Sequence, residues 1–421
     1  MKVGFLAIDK QPVDVREAKI ALFDNGHTLD VIMTVGASDI DFALNQLRSV
    51  CDAIVISGNI NAFYDTYKDT LSSRPENFDL DGKIHSVSRE ITPEFLTEKF
   101  IPLLNKKSKK KFGVIVFKTY GKSEAELRTL LKDYMGKKSK VQLGFFPDFL
   151  ECEVHARCAA TMAKEEMNGI SLKLNELLYG CTYSYDRISI TERVAQMLAE
   201  EGLKIKIAES FTGGALGSAF TMLPGASEYL VEDLVTYSIT SKNKRLGVPL
   251  EVIAEHGAVS GDTAYNMALG LMSSGDCDIA IATTGNAGPT VQNGNAGLCF
   301  VALGIASEKS IAVVKYTFGS DRETNIKSGV KNAMFLLYES LVSYKQKLKR
   351  RRAQAAQQQQ YAAAQQQQYG AQQYAPQQQP VSQQYATAAQ PQQQPTQQQQ
   401  QTQFIAPSLM PDIVTSDDDN Q

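Results

Sequence analysis

Residues 205–220 read IKIAESFTGGALGSAF, an apolar strand-like run that ends in Glu209 and Ser210 and continues into Thr212, Gly213 and Gly214. In open α/β sheets ligands bind beyond the carboxyl ends of strands, which puts the Ser210 hydroxyl where a nucleophile is useful. The Thr212-Gly213-Gly214 turn opens the next helix, where free backbone N–H groups point outward and glycine lets a ligand approach closely. The plainer alternative is that Thr212 is an N-cap and the glycines only allow tight packing. A second apolar strand, DIAIATTGNAGP (278–289), ends in Thr284 and Gly285 with Gly288 and Pro289 behind them, so the two loops suggest one shared cleft. A third stretch, LVTYSITSKNKRLGV, places Tyr237 and Lys242 after a strand. A lysine shielded from water beside a serine can lose its proton and act as a general base, in a variant of the serine triad. Its pKa must then fall by several units from about 10.4, through burial or cationic neighbours. His256, in AEHGAVSG, reads as a structural cap at a helix end. Periodicity does not show whether Ser210 and Lys242 meet.

Composition narrows the field. The chain has 421 residues, enough for several domains, and an apolar fraction of 43% that can build real cores. A net charge of −3 makes no electrostatic case for a nucleic-acid partner. The six cysteines form no CxxC pair, and Cys152 and Cys158, with His155 between them, are poorly spaced for zinc. Reduced thiols in a cytoplasmic protein are the expectation. The start, MKVGFLAID, lacks the apolar core of a signal peptide, and no apolar run reaches the length of a membrane span.

The elements that must position these residues are α/β throughout. Residues 1–104 alternate strand and helix: KVGFLAI, VREAKIALFDNG, LDVIMTV, DIDFALNQLRSV and DAIVISG make a βαβαβ unit with a mainly parallel sheet. A helix follows in ITPEFLTEKFIPLL, with Thr92 as cap and Pro93 at its first position. KKSKKK (106–111) reads as a solvated linker. Residues 112–180 make a small α+β module whose first helix carries a Ser123/Glu126 capping box. Beyond it come an amphipathic helix at 188–202, strands KIKIA, LVTYSIT, DIAIATT, GLCFVALG and SIAVVKYTF, and helices near 249–255, 260–274 and 324–345. From Ala353 the chain is mostly Gln with Ala, Tyr and Pro, a composition expected to be disordered. It ends in FIAPSLMPDIVTSDDDNQ, either a short docking motif or a plain terminus.

Seven motifs, AESFTGG, LPGASEYL, VTYSITSK, LGVP, HGAVS, ATTGNAGP and FGSDRE, occur in the order found in the C-terminal domain of the CinA (competence/damage-inducible) family, which this chain resembles over about 190–345. The resemblance implies a multidomain α/β chain: a molybdopterin-binding-like domain at 1–105, a KH-like linking module at 112–180, the CinA C-terminal domain at 185–346 and a disordered tail at 353–421. It implies a nicotinamide mononucleotide amidase that releases ammonia and leaves nicotinate mononucleotide, a homodimer in the cytoplasm, and no cofactor for that reaction. Site residues carry over by motif. Ser210 is the nucleophile, Lys242 and Tyr237 act with it, and Thr212, Gly213, Gly214, Thr284, Gly285, Gly288 and Arg322 bind substrate.

The sequence also departs from the family. Phe211 replaces the usual Cys, Ser320 the Gly of the GDR motif, Ile326 and Lys327 stand where Arg is common, and TVQNGNAG replaces a Pro-containing glycine loop. In the first domain the family's GGLGPTxDD corresponds to GNINAFYDT (58–66), which keeps Asp65 but has Thr66 for its companion acid, and AIDKQPVD replaces a glycine-rich loop. The family's metal-dependent ADP-ribose hydrolysis there is therefore expected to be lost. Two rival functions stand beside the amidase: a non-catalytic, competence-related interaction protein, and that N-terminal pyrophosphatase with a divalent metal.

Overall fold

The computed structural model describes residues 1–10, 15–136, 139–290 and 295–373. Met1–Tyr338 form one compact mixed α/β unit with three sheets. The first is built from β1 (Lys2–Ile8), α1 (Val15–Asp24), β2 (Thr28–Val35), α2 (Ile40–Val50), β3 (Ala53–Gly58), α3 (Ile60–Thr66), β4 (Asn77–Leu80) and β5 (Lys83–Val87). Its order is β2-β1-β3-β5-β4, parallel except for β4. The βαβαβ reading is thus present, while α3, β4 and β5 carried too short a pattern to be read. The expected helix begins as a π-helical turn, Phe95–Phe100, with the Phe95 amide donating to Thr92 Oγ1 at 3.1 Å, and continues as α4 (Ile101–Ser108). The lysine-rich linker is therefore half helix, ending at Lys109 in a left-handed conformation.

The second sheet holds β6 (Phe112–Tyr120), α5 (Glu124–Leu130), β7 (Gln142–Asp148), β8 (Glu151–Ala159), α6 (Lys164–Leu177) and β9 (Thr182–Ser184), in the antiparallel order β7-β8-β6-β9. The Ser123/Glu126 capping box is formed. Successive residues of a strand face opposite sides, so Cys152 and Cys158 enter the core while His155 points toward the first sheet. Its Nδ1 meets Asp24 at 2.7 Å and its Nε2 meets Glu153 at 3.2 Å. Glu153 also takes Arg16 at 2.6 Å and Lys118 at 2.8 Å, which holds its carboxyl far below the usual range despite burial. These paired charges dock α1 onto β8.

The third sheet positions the candidate chemistry. After α7 (Ile190–Glu201), capped by a Ser189/Glu192 box and closed by Gly202, come β10 (Ile205–Glu209), α8 (Ala215–Thr221), β11 (Leu230–Val235), α9 (Ile239–Leu246), α10 (Leu250–His256), α11 (Gly261–Met272), β12 (Ile279–Asn286), β13 (Leu298–Ile305) and β14 (Ser310–Thr317). The order is β11-β10-β12-β13-β14, with β10 an interior strand parallel to both neighbours. Such a strand is covered on both faces, and every residue of β10 is buried. The strand expected at 234–240 is displaced: β11 ends at Val235, and the Ser238 hydroxyl accepts from the Ser241 amide to start α9. β-Branched Thr and Ile at a helix start had mimicked a strand.

The last helix, α12, runs Arg322–Gln373, so the Gln-rich segment is helical to Gln373 rather than disordered from 353; Ala, Gln and Arg are good helix formers. The rest of the tail, with its terminal apolar and Asp417–Asp419 motif, lies outside the described residues. The first part of α12 leans on the second sheet. Lys331 meets Glu151 at 2.6 Å, Phe335 stacks on Tyr120 at 3.8 Å, and the Tyr338 hydroxyl donates to Thr182 O at 3.2 Å.

One close approach fixes α9. A Cβ on Gly270 of α11 would lie 2.0 Å from Leu246 O, the last residue of α9. Gly270→Ala should therefore destabilise the protein by about 1–3 kcal/mol through overpacking, although alanine is the better helix former by about 1 kcal/mol. Denaturant unfolding checks this; a gain in stability would show that the two helices separate freely.

Candidate active site

Ser210 follows β10 directly. Its amide donates to Thr283 O at 2.9 Å and it is 8% exposed. Lys242 lies on α9 and is 1% exposed. Its Nζ stands 2.9 Å from Ser210 Oγ, 2.8 Å from Thr236 O and 3.5 Å from Tyr237 O. A neutral amine has two N–H bonds and one lone pair. The two carbonyls can take the N–H groups, which leaves the lone pair for the Ser210 hydroxyl proton. Among the described residues no carboxylate partners Nζ, and burial lowers the Lys242 pKa from 10.5 to about 8. The three strand-end loops converge as the sheet order requires, since the Thr236 amide donates to Glu209 O at 2.8 Å and Ser210 is tied to β12.

The turn behind Ser210 differs from expectation. Thr212 is no cap: its hydroxyl shares a 2.8 Å hydrogen bond with the Thr283 hydroxyl. Gly213 and Gly214 have φ of +64° and +99°, which only glycine adopts without strain, and Gly214 starts α8. The Gly214 amide is not open to a ligand, because it donates to Glu209 Oε2 at 2.8 Å. Leu216 and Gly217 also donate to Glu209, at 3.1 and 2.7 Å. Among the described residues the Thr212 and Gly213 amides have no such acceptor, so the donors move one or two residues toward the serine.

At the rim, Arg322 Nη1 donates to Gly288 O at 2.9 Å and Nη2 donates to the Tyr237 hydroxyl at 3.4 Å. Tyr237 is 65% exposed and touches the Lys242 amine through its carbonyl, so its phenol belongs with Arg322 rather than with the base. Thr284 spends its hydroxyl on Ala258 O at 2.7 Å, and Gly285 pairs with Cys299 inside the sheet. Phe211 is buried against Phe318. Lys327 pairs with Glu323 at 2.7 Å. His256 ends α10 beside Glu255 and Asp262, apart from the dyad. Residues 291–294 of the TVQNGNAG loop lie outside the described residues.

Four contributors escaped the sequence reading. Thr236 and Thr283 act through backbone carbonyls, which no side-chain pattern reveals. Asn325, fully buried, donates to Ala287 O at 3.0 Å and Ser320 O at 2.8 Å and so joins the two rim loops. Glu209 alone gave a signal, as a carboxylate closing an apolar strand.

A separate cavity of about 620 Å³ lies over the first sheet, lined by Lys10, Gly58, Asn59, Arg89, Glu90 and Lys99 among others. Asp65 does not line it; it is 71% exposed and paired with Arg74 at 3.0 Å, while the Thr66 hydroxyl donates to Ala62 O. That donor set does not suit a divalent ion, and among the described residues no three His, Cys, Asp or Glu come together to hold one. No helix among them is long and apolar enough to cross a membrane.

The lowered pKa makes Lys242 a burden on stability. Its fall to about 8 corresponds to about 3 kcal/mol. Below pH 8 the folded chain carries this cost in full, and it fades as pH rises toward 10.5. Lys242→Met should therefore raise the unfolding free energy at pH 7, with the gain shrinking between pH 8 and 10. Paired melts across pH check this; a pH-independent difference would mean that the amine is solvated.

The family description that matches is the CinA C-terminal domain, over residues 187–341. A competence-damage inducible protein of Caldicellulosiruptor bescii is 33% identical over 258 residues, 61% of this chain and 62% of that relative, so the matched stretch spans less than two thirds of the relative's length. A CinA-like protein of Geotalea uraniireducens is 34% identical over 233 residues, 54% of this chain and 56% of the relative. The crystal structure of a competence-damaged protein (CinA) superfamily protein from Klebsiella pneumoniae is 33% identical, covering 37% of this chain and 96% of its own, with a TM-score of 0.35. Residues 187–341 of the chain are a CinA C-terminal domain.

Proposed function

We propose that this domain is an amidohydrolase that converts nicotinamide mononucleotide and water to nicotinate mononucleotide and ammonia. The observation that carries the reading is the 2.9 Å contact between Lys242 Nζ and Ser210 Oγ, made by an amine with no carboxylate partner. Lys242 takes the Oγ proton as oxygen attacks the carboxamide carbon, and the C–N bond then breaks as the same proton passes to the departing nitrogen. The product is ammonia and an ester on Ser210. Water, deprotonated by Lys242, attacks the ester; the carboxylate leaves and Oγ regains its proton. The Thr212 and Gly213 amides are the donors for the oxyanion, worth about 3 kcal/mol each in comparable sites. Arg322 at the rim suits the substrate phosphate. Substrate identity draws on the family resemblance, reaction class on the dyad.

Ammonia release from nicotinamide mononucleotide tests the reading. Ser210→Ala and Lys242→Ala should each lose at least about a hundredfold in kcat. A wild-type chain no faster than either variant would leave a binding role instead. Deprotonation of Lys242 should contribute a rise in the wild-type rate through about pH 8. Arg322→Gln should raise KM while leaving kcat within about threefold, since it removes a contact made equally in ground and transition states.

A further inference from the structure

The reaction just described leaves a second pair of titratable groups unused, the buried Glu209 and the half-buried Asp233. Glu209, fully buried, spends both oxygens on the amides of Gly214, Leu216 and Gly217. Asp233 of β11 shares its sheet face, because Ile207 pairs with Asp233 and Glu209 with Val235, two residues on. α8 closes over it: a Cβ on Gly217 would lie 2.0 Å from Asp233 Oδ2. Asp233 Oδ1 is buried, and among the described residues no donor reaches it. The charged group facing it is Glu209, from β10, and α8 presents glycine. An ionised carboxylate there would leave Oδ1 without a donor among the described residues and face the Glu209 charge, whereas a carboxylic acid has an O–H to give. Burial first, and the Glu209 charge second, raise the Asp233 pKa to about 7.

We propose that Asp233 keeps its proton and donates it to Glu209, and that this carboxyl pair is the positioning device holding the 211–214 turn, with the Thr212 and Gly213 amides, behind Ser210. The proposal rests on the reading of Ser210 as nucleophile. Its logic is one of exclusive use. Glu209 consumes the amides at 214, 216 and 217, so those preceding them stay unclaimed within the fold. Removing the shared proton sets two carboxylates against each other, and Asp233 can retreat only by displacing Gly217 and the turn attached to it. Ser210 reactivity should then fall as Asp233 ionises, against the rise that Lys242 imposes.

Two measurements on the full chain test this. In protein labelled with carbon-13 at the aspartate carboxyl carbon, the resonance lost in Asp233→Asn should titrate near pH 7. In parallel, Ser210 is labelled with diisopropyl fluorophosphate across pH. Asp233→Ala and Glu209→Gln should label at least about tenfold more slowly than wild type. Asp233→Asn, whose amide N–H replaces the acid O–H, should restore the rate to within about threefold and abolish the inflection near neutrality, which a merely space-filling residue would not do. Titration of Asp233 in the ordinary carboxylate range, or an Asp233→Ala variant with the wild-type rate and pH profile, overturns the proposal. If Asp233 titrates near neutrality but wild-type Ser210 never labels, the carboxyl pair stands and both the nucleophile and the positioning role built on it fall.

Discussion

A buried amine without a counter-ion is the constraint around which the third sheet is organised. Water would solvate Lys242 better than the protein does, and a carboxylate would neutralise it; the fold supplies neither, only two backbone carbonyls and one hydroxyl. That environment favours the uncharged base, and it survives only if α9 cannot slide outward. The Ser238 cap and the close approach of Leu246 to Gly270 hold it from the two ends. The cost to folding and the reactivity proposed for the serine have one origin, which is the usual relation between a strained site and the scaffold that tolerates it.

The sheet order explains why three distant segments meet. An interior β10 with parallel neighbours sends the chain out at the same edge after β10, β11 and β12, so the serine, the lysine and the glycine loop arrive together. A parallel strand also leaves an awkward residue at its exit, where the ladder stops and a helix must begin. Glu209 serves both sides of that junction: its carbonyl holds the loop after β11, and its carboxylate gathers the amides that open α8.

Much of this was legible in the sequence, and what was not has identifiable causes. Long periodic helices, capping boxes and apolar strands stood out, as did Ser210 and Lys242 once two glycine-containing loops at strand ends suggested a shared cleft. The segment 234–246 misled because β-branched residues occupied a helix start, and α3, β4 and β5 were too short to carry a period. Thr212 looked like a cap because caps are recognised by residue type, whereas its hydroxyl is taken by Thr283 across the sheet. Contacts made through carbonyls, such as those of Thr236 and Tyr237 with the amine, leave no trace in side-chain identity.

The helix that begins at Arg322 does more than close the domain. Its first residue guards the rim, and about 14 and 20 Å along the same rod the second sheet grips Lys331 and Phe335. The rod is therefore braced from outside the CinA domain. Ser210 and Lys242 are instead held at the end of β10 and on α9, inside that domain. The neighbouring module thus bears on how the doorway is held, and not on the contact between the hydroxyl and the amine.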